Sequence, residues 1–124
     1  MMEGYSVEIT GASWELDVKE QLMYEDCSDA ESLDSFLGDG CYIFKPLGWV
    51  KLHVYNPASK DGEYEQFIVK TETGLLITGS KTFSESFERI YRKMESYDGE
   101  WSVKAFRKPS SNFKDKYFIA CVVV

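Results

Sequence analysis

A mainly β fold with one principal helix is predicted by three observations. Apolar and polar residues alternate with a period of two through much of residues 41–124, the signature of half-buried strands. One stretch alone in that region carries the 3.6-residue period of an amphipathic helix, with Phe83, Phe87, Ile90 and Met94 on one stripe. That helix falls after three strand patterns and before two, giving β-β-β-α-β-β, the order of the five-stranded OB barrel. The rival arrangement is an α+β roll, in which the helix crosses an open antiparallel sheet. Either way residues 1–124 read as a single domain: an OB-like body over 41–124 with an acidic N-terminal α/β extension, 1–40, packed on it.

Along the chain, Ser6 to Ile9 alternates as a short strand with Val7 and Ile9 on one face. Asp17 to Tyr24 fits either a helical turn with Val18, Leu22 and Met23 inward or a further strand. Ser28 and Glu31 have capping-box spacing, and Leu33, Phe36 and Leu37 form a short helical face that stops at Gly38-Asp39-Gly40. From Cys41 the period becomes two, and Tyr42-Ile43-Phe44 leads through Pro46 and Gly48 into the strand Trp49–Tyr55. There Val50, Leu52 and Val54 make an apolar face, opposite Trp49, Lys51, His53 and Tyr55. Asn56-Pro57 and Lys60-Asp61-Gly62 turn the chain. In 64–71, Phe67 and Val69 point inward and Tyr64, Gln66, Ile68 and Lys70 outward. Glu72-Thr73-Gly74 leads into Leu75–Thr78.

The helix then begins at a Gly79-Ser80-Lys81 break. Thr82 with Glu85 reads as its capping box, and Asp98-Gly99 as its stop, Gly99 taking the left-handed cap. Its polar face carries Glu85, Glu88, Arg89, Arg92 and Glu95. Trp101 to Lys108 is a strand with Trp101, Val103 and Ala105 inward and Lys104, Phe106 and Lys108 outward. A basic loop, Pro109 to Asp115, precedes the last strand, Lys116 to Val124.

Charge is divided along the chain. Residues 1–40 hold eleven acids against one base, Lys19, whereas 41–124 hold ten acids against thirteen bases, within a net charge of −7. An acidic front and a mildly basic body suit contact with nucleic acid or a charged partner. Aromatic residues make up 15% of the chain, more than a small core absorbs, which points some of them toward binding. No run of about 18 apolar residues occurs and no basic-then-apolar leader opens the chain, so a soluble, cytoplasmic protein without membrane contact is expected. Cys27, Cys41 and Cys121 are odd in number and widely spaced, so they read as ordinary thiols.

Catalysis, metals and cofactors find no support. His53 is the only histidine, so neither a triad nor an imidazole cluster is available. Gly74 to Thr82 comes within one residue of a phosphate-binding loop, but Ser80 displaces Lys81 from its place after the second glycine, and the residues between are a strand. A helix start beside Lys81 could still hold one phosphate of a polymer. The stronger constellation sets the rings Trp49, Tyr55, Tyr64 and Phe106, with His53, among Lys51, Lys70, Lys81, Lys104, Arg107, Lys108 and Lys114. Stacking platforms beside a basic track are what single-stranded nucleic acid requires. The rival reading has some of these rings completing a core.

Thr78-Gly79-Ser80, Pro109-Ser110-Ser111-Asn112 and Tyr117-Phe118-Ile119-Ala120-Cys121 resemble small proteins of phages and mobile elements of Gram-positive bacteria, some described as single-stranded DNA-binding. The resemblance spans roughly residues 6–124. It implies an OB-like, non-catalytic binder of single-stranded DNA in a bacterial host, as a homo-oligomer. The usual acidic C-terminal tail is missing, since this chain ends Cys121-Val-Val-Val124. A second expectation, from the acidic front, is an anti-defence protein of anti-CRISPR or DNA-mimic type that binds a host protein. A third is a nucleotide-signal or small-ligand binder using the aromatic face.

Overall fold

In the computed structural model, residues 6–26, 30–38, 40–109 and 117–124 are described. They form eight strands and three helices: β1 Ser6–Ala12, α1 Val18–Asp26, β2 Ala30–Ser32, α2 Leu33–Leu37, β3 Cys41–Phe44, β4 Pro46–Tyr55, β5 Glu63–Thr71, β6 Gly74–Thr78, α3 Lys81–Met94, β7 Val103–Pro109 and β8 Tyr117–Val123. The fold is mainly β. The strands make two sheets, a large one ordered β1-β4-β5-β6-β2 and a small one ordered β3-β7-β8, and neither sheet closes into a barrel. The expected five-stranded barrel is thus replaced by two open sheets. The break comes at Lys45, where β3 and β4, contiguous in sequence, part into different sheets.

Both faces of the large sheet are covered, and this decides where side chains go. On one face Phe67, Val69 and Leu76 meet Phe83, Phe87 and Ile90 of α3, with Leu33 and Leu37 of α2 beneath. Phe44, Val103, Ala105, Ile119 and Cys121 close this main core from the inner side of the small sheet. Phe87 sits at its centre, its ring 5.6 Å from Phe67, 5.7 Å from Phe83 and 6.3 Å from Phe44. On the opposite face Val50, Leu52 and Ile68 form a second core with Tyr24 of α1, lined by Val7, Ile9, Trp14 and Leu16. Phe67, Ile68 and Val69 are therefore all buried in consecutive positions. A central strand covered on both sides has no solvent face.

The front segment is woven into the large sheet. β1 pairs antiparallel with β4 along one edge, and β2 pairs parallel with β6 along the other. β1 runs past the expected Ile9 to Ala12 through a bulge at Thr10, and Ser13 continues the pairing by bonding Trp49 from both its N–H and its hydroxyl side. Residues 17–24 prove helical because Asp17 and Glu20 cap each other: the Glu20 N–H donates to Asp17 Oδ1 at 2.8 Å and the Asp17 N–H to Glu20 Oε1 at 3.3 Å. Val18, Leu22 and Met23, expected inward, are exposed, and Tyr24 is the buried residue of α1 instead. The cap proposed for Ser28 lies outside the described residues, and Glu31 belongs to β2.

α3 carries the expected buried stripe but different ends. Its N-cap is Ser80, whose Oγ accepts the Phe83 N–H at 3.2 Å, so Thr82 lies inside the helix. It stops at Met94 with Glu95 still in right-handed helical geometry, and Gly99 does not take a left-handed conformation. Gly74 does, at φ 147°, closing the turn that Thr71 ties with a 2.8 Å bond to the Gly74 carbonyl. Trp101 packs against the main core but precedes β7.

Candidate nucleic-acid interface

Strand register separates the rings and lysines that sequence alternation had grouped. In an antiparallel pair, residues opposite each other share a face. Trp49 lies opposite Val69, Lys51 opposite Phe67, His53 opposite Glu65 and Tyr55 opposite Glu63. These four therefore share the α3 side of the large sheet. Tyr64 lies opposite Val54 and Lys70 opposite Gly48, which puts both on the other side, with the second core. Lys104, Phe106 and Lys108 belong to the small sheet.

Most of the large-sheet members are occupied within the fold. The Trp49 ring lies 5.7 Å from Phe67, against the main core. Lys51 Nζ is 2.9 Å from Glu88 Oε1 of α3. Lys70 Nζ stands 5.4 Å over the Trp14 ring, a cation–π contact, and Trp14 Nε1 donates to Glu20 Oε2 at 2.9 Å. Trp14 is seated against Gly48, where a Cβ would come within 2.5 Å of its ring. His53 Nε2 approaches Glu63 Oε2 at 3.5 Å, and its ring tilts on Tyr55 at 4.6 Å. Lys81 is exposed at the start of α3, 3.9 Å from Glu85.

Arg107 is committed to structure as well. Its guanidinium donates to the backbone carbonyls of Gly38 and Asp34 and lies 3.5 Å from Asp34 Oδ1. A cation on the last carbonyls of α2 stabilises that short helix and pins it to β7. Lys114 lies outside the described residues.

What the register does bring together is the outer face of the small sheet. Ile43, Lys104 and Val122 form one row, Cys41, Phe106 and Ala120 the next, and Lys108 and Phe118 the third. Phe106 and Phe118 are diagonal neighbours on adjacent strands, flanked by Lys104 and Lys108. Phe106 and Phe118 are each half-buried, and beside them Ile43 is 55% and Val122 43% exposed. The inner residues of the same strands, Val103, Ala105, Ile119 and Cys121, are buried in the main core.

Phe118, Cys41 and Ile43 were not among the expected site residues. Phe118 sits in Tyr117–Val123, a strand apolar at every position, so alternation carries no inside or outside signal there. Its pairing with Lys108 is what places it. Burial pushes the Cys121 thiol up to about 11, partly opposed by Arg89, so it is no nucleophile, while burial and then Glu20 raise the Tyr24 hydroxyl. Among the described residues no helix is long and apolar enough to cross a membrane. Compared with family models, with curated proteins and with solved structures, the chain finds no match in any of the three.

Proposed function

We propose that this protein binds single-stranded DNA without catalysis, across the outer face of the small sheet. One observation carries the reading: Phe106 and Phe118 are half-buried diagonal neighbours on the outer face of an antiparallel sheet, with Lys104 and Lys108 at their flanks. An open sheet face with adjacent rings is how OB-type and related domains stack successive bases, while the lysines neutralise the phosphates between them. The OB-like element of the reading is thus a way of using a sheet face, with assembly of several copies lengthening the platform, as in a phage or mobile-element protein coating its own DNA.

Fluorescence anisotropy with a labelled oligothymidine tests this. Phe106→Ala and Phe118→Ala should each weaken binding by about 1–3 kcal/mol. Lys104→Ala should lower the slope of log K against log salt by about 0.7. Trp49→Ala should leave affinity unchanged wherever the variant stays folded. No binding at low salt, or full binding by the double phenylalanine variant, sinks the proposal.

A second reading, that the acidic front meets a host protein as an anti-defence factor would, is favoured by α1. Val18, Leu22 and Met23 are 71%, 62% and 43% exposed among Asp17, Glu20, Glu25 and Asp26. An apolar patch rimmed by charge suits a protein partner. Capture of a stoichiometric protein from host lysate after nuclease treatment supports it; loss of all captured protein with the nucleic acid counts against it.

A further inference from the structure

The large sheet has one long edge that no strand covers. β1 is its outermost strand, with β4 as its only strand neighbour among the described residues. Half of its backbone N–H and C=O groups therefore face away from the sheet. Along that edge runs an open groove of about 650 Å³, lined by β1 from Val7 to Ala12, by Leu16, and by Gln21 and Glu25 of α1. Gln21 and Glu25 are one helical turn apart, so one face of α1 forms a wall of the groove. A helix standing beside a free strand edge is the geometry in which an extended peptide adds as a further strand, its alternate side chains falling between strand and helix.

We infer that this groove takes an extended basic peptide segment of a partner protein by strand addition to β1. The inference rests on the second reading only in placing a protein partner at the acidic front. Charge selects the occupant. Glu8, Glu15 and Glu25 line the groove and no lysine or arginine does. A second copy of the chain pairing edge to edge would bring two such acidic edges together, whereas a peptide carrying lysine at alternate positions neutralises them. Val7, Ile9 and Leu16 give the intervening residues an apolar seat. The bulge at Thr10 interrupts regular geometry, so pairing is confined to the part of the strand before it, Ser6–Ile9.

The test uses an acetylated eight-residue peptide of alternating lysine and valine, titrated into the isotope-labelled full chain. Amide shifts should localise to Ser6–Ile9 and to Gln21 and Glu25. Two N-methylated versions decide whether the backbone is read. Methylating all the lysine amides blocks one edge of the peptide, and methylating all the valine amides blocks the other. Strand addition requires that one version lose about tenfold or more in affinity and the other keep it. Glu15→Lys with Glu25→Lys, at two exposed positions, should cost about tenfold as well, while a glutamate–valine peptide should not bind. Equal binding by both methylated peptides overturns strand addition and leaves the acidic front standing as a protein-binding surface. Absence of any shift in β1 with the parent peptide overturns the inference outright, whereas failure of the second reading is read separately, as loss of every captured host protein after nuclease treatment.

Discussion

The two sheets carry similar sequence patterns and put them to opposite uses. In β4, Trp49 and Lys51 alternate with Val50 and Leu52; in β7, Lys104 and Phe106 alternate with Val103 and Ala105. The large sheet has a helix over each face, so both parities of β4 are enclosed: Val50 and Leu52 under α1, Trp49 and Lys51 against Phe67 and α3. The small sheet turns Val103 and Ala105 into the main core, so the same alternation leaves Phe106 on the opposite face, partly exposed. A ring on a strand thus says nothing about binding until the number of layers around its sheet is known. The difference also separates part of the charge, since α1 with Glu20, Glu25 and Asp26 lies on the far side of the large sheet, whereas Asp34 sits beside Arg107 of β7.

The sharpest way to break the comparison is at the ring cluster. Phe87→Ala, at a fully buried position among Phe44, Phe67, Phe83 and Tyr91, should cost about 3–5 kcal/mol in urea denaturation. A cost below about 1 kcal/mol would mean that the main core is not organised around α3. On the other side of the large sheet, Gly48→Ala forces a methyl into the Trp14 ring and should cost about 1–3 kcal/mol, read also as a change in tryptophan fluorescence. Unchanged stability there would mean that Trp14 does not cover that face.

Raising the pH probes the inner side of the small sheet. The Cys121 thiol is raised from 9.0 to about 11, so the folded state holds its proton more tightly than the unfolded chain does. That contribution is complete below pH 9 and is lost as pH rises toward 11, by up to about 2 kcal/mol, which Cys121→Ala should abolish in denaturation curves at pH 8 and 10.5. In alkylation at pH 8, exposed Cys41 should react while Cys121 reacts only after unfolding. The smallest effect belongs to the outer side. Phe106→Ala should cost under about 1 kcal/mol of stability, because only part of its ring is buried, while removing most of the DNA affinity. Comparable losses of stability at Phe106 and Phe87 would erase the distinction between the sheets.

How much of this is legible in the sequence follows from the same geometry. The α3 stripe is readable because Phe83, Phe87 and Ile90 are buried against a polar opposite face. Its cap is not, because Ser80 and Thr82 are both hydroxyl residues and only the folded turn shows which one reaches an N–H three residues on. The strands of 41–109 can be located, yet their grouping depends on register, which alternation within one strand does not contain. The run Phe67-Ile68-Val69 is one overlooked clue, since three consecutive apolar residues in a strand signal cover on both faces, and the capping spacing of Asp17 and Glu20 is another. β2 is invisible because Ala30-Glu31-Ser32 has neither length nor alternation, and it is held by parallel pairing to Leu75–Ile77. The Asp17–Glu20 pair, by contrast, is a legible capping box that settles the helix.

The placement of β1 and β2 on opposite edges of the large sheet has a consequence for how the chain can be made and cut. β1 and β2 finish both margins of the sheet, and they have nothing to pair with until β4 and then β6 have emerged. The last strand is equally indispensable, since Ile119 and Cys121 seal the main core and Val124 exchanges backbone hydrogen bonds with Ser102. Neither Ser6–Ala12 nor Tyr117–Val123 can therefore be removed as an accessory. A nascent chain can close the second core once β5 and β6 have emerged, but leaves the main core open until β8 has left the ribosome.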